Sequence, residues 1–210
     1  MKIGVISDTH LKEPHPEFKK MIEFHFKDVE KIFHAGDFVE GSIAEYLSSQ
    51  KELIAVCGNM DSQDIRKAFP QKRIIELKGF KIGLIHGGGS PFGIESHIRG
   101  EFDEVDAIVY GHTHIPANHQ VKNIYPVRKP AACPVRSSAS IGACGGDEDE
   151  FILKRTRGLM PRMNLPLEGR RSSNGVYFFN PGSPTRSFIH NATLGVLYLG
   201  EKIEGEIIKI

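Results

Sequence analysis

The chain contains no tryptophan and only three cysteines in 210 residues. So few thiols exclude a disulfide-stapled secreted scaffold and point to a reducing compartment. No apolar run approaches the roughly 20 residues needed to span a bilayer, and Ile3–Ile6 is too short for the core of a signal peptide. Charge of one sign is also missing: 27 Lys+Arg stand against 26 Asp+Glu, a net +1. No overall field therefore marks a nucleic acid or a membrane as partner. Together these absences give the expectation of a soluble, cytoplasmic protein with no membrane partner. A chain of this length can bury a full core unaided, so residues 1–210 are expected to form a single domain.

Short apolar runs bounded by turn formers recur along the chain. They are Ile3–Ile6, Ile32-Phe33, Leu53–Val56, Ile82–Ile85, Ala107–Tyr110, Val176–Phe179, Val196–Leu199 and Ile207-Ile208. Runs of about four aliphatic residues between such turns predict buried strands. Helices are predicted over Glu17–Lys27, Ser42–Ser49, Asp64–Ala68 and Ile94–Ile98. The alternation in the first half predicts an α/β layered fold. The strand-rich second half predicts a mixed sheet or two packed sheets.

Residues 117–174 do not fit this rhythm. They carry five prolines, five glycines and no sustained period of 2 or 3.6. Ten Lys/Arg against five Asp/Glu give the stretch a net +5. A structureless insert of this length inside a compact domain is uncommon, and is either functional or disordered. The expectation is a basic, flexible insert. As a lid at the edge of a site it would attract a polyanionic substrate; its lack of interleaved aromatics supports nucleic-acid binding only weakly.

Five of the runs end next to a residue able to bind a metal: Asp8-Thr9-His10, His34-Ala35-Gly36-Asp37, Cys57-Gly58-Asn59, His86-Gly87-Gly88-Gly89 and Gly111-His112-Thr113-His114. Sites in α/β sheets form beyond the carboxyl ends of strands, so these loops can converge on one edge. Four imidazoles, two carboxylates and one amide oxygen make a nitrogen/oxygen set suited to Mn, Fe, Zn, Ni or Co. Seven ligands exceed one tetrahedral zinc site and suit two ions sharing a carboxylate bridge. Such a pair can clamp a phosphate and activate a water.

Asp-x-His, Gly-Asp, Gly-Asn, His-Gly and Gly-His-x-His, in that order, resemble the motif set of the calcineurin-like metallophosphoesterases. The short chain and the later Asn180-Pro181-Gly182-Ser183 are similar to the small single-domain phosphodiesterase branch of bacteria and archaea. The resemblance covers the chain outside residues 117–174. It implies a four-layer α/β/β/α sandwich of two mixed sheets flanked by helices. One ion would be held by Asp8, His10, Asp37 and His114. The second would be held by Asp37, Asn59, His86 and His112, with Asp37 as the bridge. The resemblance favours Mn or Ni and implies in-line attack on phosphorus by a metal-bridging hydroxide. It assigns the catalytic work to Asp37, Asn59 and His86. The substrate class it implies is a phosphodiester small molecule or nucleotide.

Many members of the superfamily carry a histidine directly after the asparagine. Here Met60 follows Asn59, so the expectation is a preference for good leaving groups, or acid help from Asp61 or water. Taken alone, His34 is expected to support Asp37 rather than ligate, and Asn180–Ser183 is expected first as a turn closing a strand. A different class of function is a protein-binding scaffold of the same fold, as in the retromer subunit. Intact ligand positions argue for the hydrolase.

Overall fold

The structure, a computed structural model, describes residues 1–122, 175–185 and 191–210. Ten strands form two five-stranded sheets. In the first sheet β1 (Lys2–Ile6), β2 (Lys31–His34) and β3 (Glu52–Ala55) run parallel, while β9 (Thr193–Leu199) and β10 (Ile203–Lys209) complete it antiparallel beside β1. In the second, β5 (Phe80–Ile85), β6 (Ala107–Val109) and β8 (Val176–Asn180) are parallel. Antiparallel edges close it: β4 (Lys72–Leu77) beside β5 and β7 (Ala117–Val121) beside β8.

The alternation of side chains along each strand builds the layers. On β1, Ile3 and Val5 face a core shared with Phe33, Val56, Leu84, Val109 and Phe179, which joins the two sheets. Ile6 faces the opposite way, into a core with Ile32 and with Phe18, Ile22 and Leu47 of α1 (Pro16–His25) and α2 (Gly41–Gln50). A third cluster packs Ile94 and Ile98 of α4 (Ile94–Arg99) on Ile108, Val176 and Phe178 of the second sheet. A short α3 (Gln63–Ala68) adds Ile65 to the first outer layer. The order is helix, sheet, sheet, helix.

Each sheet carries a glycine where an outer-layer phenylalanine rests on it. A Cβ on Gly4 would lie 2.9 Å from the Phe26 ring, and one on Gly83 3.0 Å from Phe102. The rings can lie flat on the backbone there because no side chain intervenes.

All eight strands and four helices read from the sequence are present, with shifted ends. The two strands that sequence reading missed, β4 and β7, are the edges of the second sheet. β7 corrects the boundary of the insert: Ala117–Val121 is a regular strand pairing with β8. The rest of the insert beyond Lys122, and with it the lid expectation, lies outside the described residues. Among the described residues no helix is long and apolar enough to cross a membrane.

Candidate metal centre

The parallel strands of each sheet deliver their following loops to one edge. The first sheet contributes Asp8 and His10 after β1, Asp37 after β2 and Asn59 after β3. The second contributes His86 after β5 and His112 and His114 after β6. All seven candidate ligands meet there.

The backbone is bent hard to bring them in. Asp8, His10, Asp37, His112 and His114 have φ of 53°, 47°, 59°, 69° and 56°. Non-glycine residues enter this left-handed region at a cost of order 1–3 kcal/mol each, and such strain gathers at functional sites. Here it occupies five of the seven ligand positions, so the surrounding structure holds these loops in shapes they would not adopt alone.

Two carboxylates form the buried floor, with Asp8 fully buried and Asp37 almost so. Asp8 Oδ1 lies 3.3 Å from His114 Nε2 and 3.9 Å from His10 Nε2, and those two nitrogens are 3.1 Å apart. Asp37 Oδ2 stands between the halves of the cluster, 3.7 Å from His10 Nε2 and 3.3 Å from His86 Nε2. The other oxygen, Oδ1, accepts the Met60 N–H at 2.8 Å. The position between the two groups is therefore held by one oxygen of Asp37 rather than by both. Asn59 Oδ1 lies 3.1 Å from His86 Nε2 and 3.0 Å from His112 Nδ1.

The chemistry of this donor set fits cations. His86 Nδ1–H donates to the Ala35 carbonyl at 2.8 Å, and His112 Nε2–H donates to the Gly89 carbonyl at 3.0 Å. Those bonds spend each neutral ring's proton, so both remaining nitrogens point lone pairs at the Asn59 oxygen, itself an acceptor. Three acceptors facing one another repel unless something positive lies among them. Their separations also match a coordination sphere: two bonds of about 2.1 Å at right angles span about 3.0 Å. Two groups, Asp8–His10–His114 and Asp8–Asp37–His86, each hold their ligand atoms within 4.8 Å of one another.

Titration tells the same story in proton terms. Burial pushes the Asp37 carboxyl up, but the hydrogen bond and charge of His86 outweigh it, and the group ends below the usual carboxylate range. Burial pushes His86 down, yet its bond to Asp37 and the charges of Asp8 and Asp37 raise it overall. His114 is raised first by its hydrogen bond to Asp8. The pocket calls for positive charge.

Neighbours hold the ligands in place. Ser7 Oγ–H reaches Asp8 Oδ2 at 2.6 Å, and Ser183 Oγ–H donates to the Asp8 carbonyl at 2.8 Å. Asn180 donates to the Gly111 carbonyl at 3.0 Å and accepts the Gly182 N–H at 2.9 Å. It thus braces the Gly-His-x-His loop besides closing β8. Arg66 Nη2–H donates to the Asn59 carbonyl at 2.6 Å and Nε–H to the Asp61 carbonyl at 3.0 Å. His34 is fully buried, stacked on Phe38, with Nδ1 accepting the Gly36 N–H at 3.1 Å. It supports the Asp37 turn and belongs to neither ligand group.

Asp61 corrects one expectation. Its oxygens accept the N–H groups of Asp37, Val39 and Gly58 at 3.2, 2.8 and 2.7 Å, and the residue is buried. A carboxylate so occupied braces two loops and is not free to protonate a leaving group. Sequence reading missed Ser7, Arg66 and the bracing by Asn180. Ser7 and Asn180 stand beside or within the motifs, but their contacts arise only on folding.

Comparison with known proteins agrees with this geometry. The profile of the calcineurin-like phosphoesterase superfamily domain matches residues 1–148. A probable metallophosphoesterase of Methanocaldococcus jannaschii is 35% identical over 144 residues, 65% of this chain and 73% of that protein. The structure of an archaeal phosphodiesterase aligns over 100% of both chains at 21% identity with a TM-score of 0.62. Vps29 of Entamoeba histolytica, solved with zinc, aligns over 100% of this chain and 99% of its own at 16% identity with a TM-score of 0.57. The two structures share the fold, and the profile spans the five ligand-bearing loops, so the chain belongs to the calcineurin-like phosphoesterase superfamily.

Proposed function

We propose that this chain is a cytoplasmic, binuclear metal-dependent phosphodiesterase. The observation that carries the reading is the convergence of Asn59 Oδ1, His86 Nε2 and His112 Nδ1 as mutually facing acceptors beside the Asp8–Asp37 floor. Asp8, His10, Asp37 and His114 would hold one divalent ion; Asp37, Asn59, His86 and His112 the other, with Asp37 common to both. Mn or Ni is favoured, and Fe, Zn and Co suit the same donors. When bound, the pair supplies Lewis acidity and an activated water for in-line displacement, in which a new P–O bond forms and the ester P–O bond breaks with its electrons on the leaving oxygen.

The protein's own part is positioning. Buried carboxylates fix where positive charge gathers, and His86 and His112 are held in one tautomer by backbone carbonyls. The N–H of Met60 keeps Asp37 Oδ2 turned toward the imidazoles by engaging Oδ1. No imidazole follows Asn59, and Asp61 is engaged by backbone donors, so leaving groups that depart without a proton are preferred. The scaffold reading has less support, because every ligand position holds a competent donor.

Metal analysis of the purified protein, with an assay on an aryl phosphodiester with and without chelator, tests the reading. The expected result is close to two ions per chain and activity lost on chelation. Activity surviving complete chelation, or an Asp37→Asn variant with full activity, rejects it.

A further inference from the structure

Six large apolar side chains are conspicuously exposed among the described residues, and three of them lie on ligand-bearing loops: Met60, Phe92 and Ile115 at 59%, 91% and 48% exposure. Met60 follows Asn59, and its N–H is bonded to Asp37 Oδ1. Ile115 follows His114. Phe92 lies on the loop leaving His86, which is tied to the site where the Gly89 carbonyl accepts from the His112 ring. Adjacent Cα atoms are about 3.8 Å apart, so Met60 and Ile115 cannot be far from the metal-binding edge.

Among the described residues of the ligand-bearing loops, Lys12 is the one lysine or arginine between a candidate ligand and the next element. Arg66, beyond Asn59, places two of its five N–H donors on the Asn59 and Asp61 carbonyls. Beside these polar groups the loops present a thioether, an aliphatic chain and an open aromatic ring. Exposed apolar groups grouped at a site mark what the site binds.

We propose that Met60, Phe92 and Ile115 form an apolar rim that takes a planar aromatic group of the phosphodiester, a nucleobase or an aryl ring, with Phe92 as the stacking platform. The inference rests on the phosphodiesterase reading for the position of the phosphate. It names the substrate class as a phosphodiester carrying a flat ring.

Two esters with one leaving group test it: thymidine 5′-(4-nitrophenyl phosphate) and methyl 4-nitrophenyl phosphate. Because both release 4-nitrophenolate, a difference in KM reports the group that stays. The thymidine ester is expected to show a KM about tenfold lower, the effect of one stacked base, and Phe92→Ser is expected to close most of that gap. Phe92 is almost fully exposed, so folding is not at stake. Calorimetric binding of thymidine 5′-phosphate against methyl phosphate supplies a readout independent of turnover. Preference for the nucleotide, reduced in Phe92→Ser, supports the rim even if neither ester is hydrolysed, in which case only the hydrolase reading fails. KM values for both esters that Phe92→Ser leaves unchanged, with nucleotide binding equally unchanged, overturn the rim and leave the hydrolase standing; a rim that binds a protein partner instead would give that result.

Discussion

The backbone N–H of Asp37 donates to Asp61 Oδ2 across 3.2 Å. The same oxygen accepts the N–H of Gly58 at 2.7 Å, so one buried carboxylate staples the loop after β2 to the loop after β3. Asp61→Asn replaces one acceptor oxygen with an NH2 group that faces backbone donors. The variant is expected to lose about 1–3 kcal/mol of stability and about 10–100-fold in metal affinity. Denaturant titration of the metal-free protein reads the first and calorimetric metal titration the second. Unchanged metal affinity would show that the brace does not hold the ligands.

Gly58 is there for closeness. A Cβ at this position would lie 2.1 Å from Asp37 Oδ1 and 2.6 Å from the Asp37 nitrogen. Because one of those atoms is backbone, no rotamer change makes room. Gly58→Ala is expected to retain its circular dichroism spectrum while metal affinity falls at least about tenfold, as for a displaced ligand. Gly41→Ala is the control: a methyl there would have nothing within 4 Å, at the first residue of α2. It is expected to be neutral or stabilising by up to about 1 kcal/mol. Equal metal binding in the two variants would refute this account of Gly58.

Metal removal should lower the melting temperature. Ligand at about 100 times its dissociation constant stabilises the native state by about 2.7 kcal/mol per site. In a chain of this size each kcal/mol moves the midpoint by about 2–4 °C. Stripping even one site is therefore expected to cost about 5–10 °C in a thermal melt, restored by adding back the ion. A midpoint indifferent to chelator and metal would mean that the acceptor cluster does not bind cations in the folded state.

His34 predicts an acid-sensitive fold. Burial, helped by the positive charge of His86, holds its pKa well below the ordinary value, against the pull of Asp37. The native state keeps this ring neutral, whereas the unfolded chain binds a proton near pH 6.5. Its contribution to stability is therefore present above about pH 6.5 and is lost as pH falls toward the native value. His86 and His114 are shifted the opposite way, so the comparison needs a variant. In chelator, wild type is expected to lose more stability than His34→Phe between pH 7.5 and 5.5. Parallel losses in the two proteins would remove His34 as the cause.

What could be read from the chain depended on which signal each element carries. β1, β2, β3, β5, β6 and β8 announce themselves because parallel strands covered on both faces need continuous apolar runs. β4 and β7 lie at sheet edges, and sequences such as Lys-Arg-Ile-Ile-Glu-Leu and Ala-Asn-His-Gln-Val leave a solvated face with too little apolar patterning to stand out. The seven ligand candidates were legible because a coordinating donor must be a particular residue type at a strand end. Their supports were not. The carbonyls of Ala35 and Gly89 fix two tautomers, and a carbonyl is present at every position whatever the residue. Asp61 was noticed for its chemistry, but whether an acid titrates or braces depends on the N–H groups that fold onto it.

The two sheets do not contribute alike to the metal edge. The carboxylate and amide oxygens all come from the first sheet, after β1, β2 and β3, while the second sheet brings imidazoles alone. Neither half owns a complete nest for a cation, so the ions would act as rivets across the seam, and a chain cut between β3 and β4 should rejoin more tightly in their presence than in their absence.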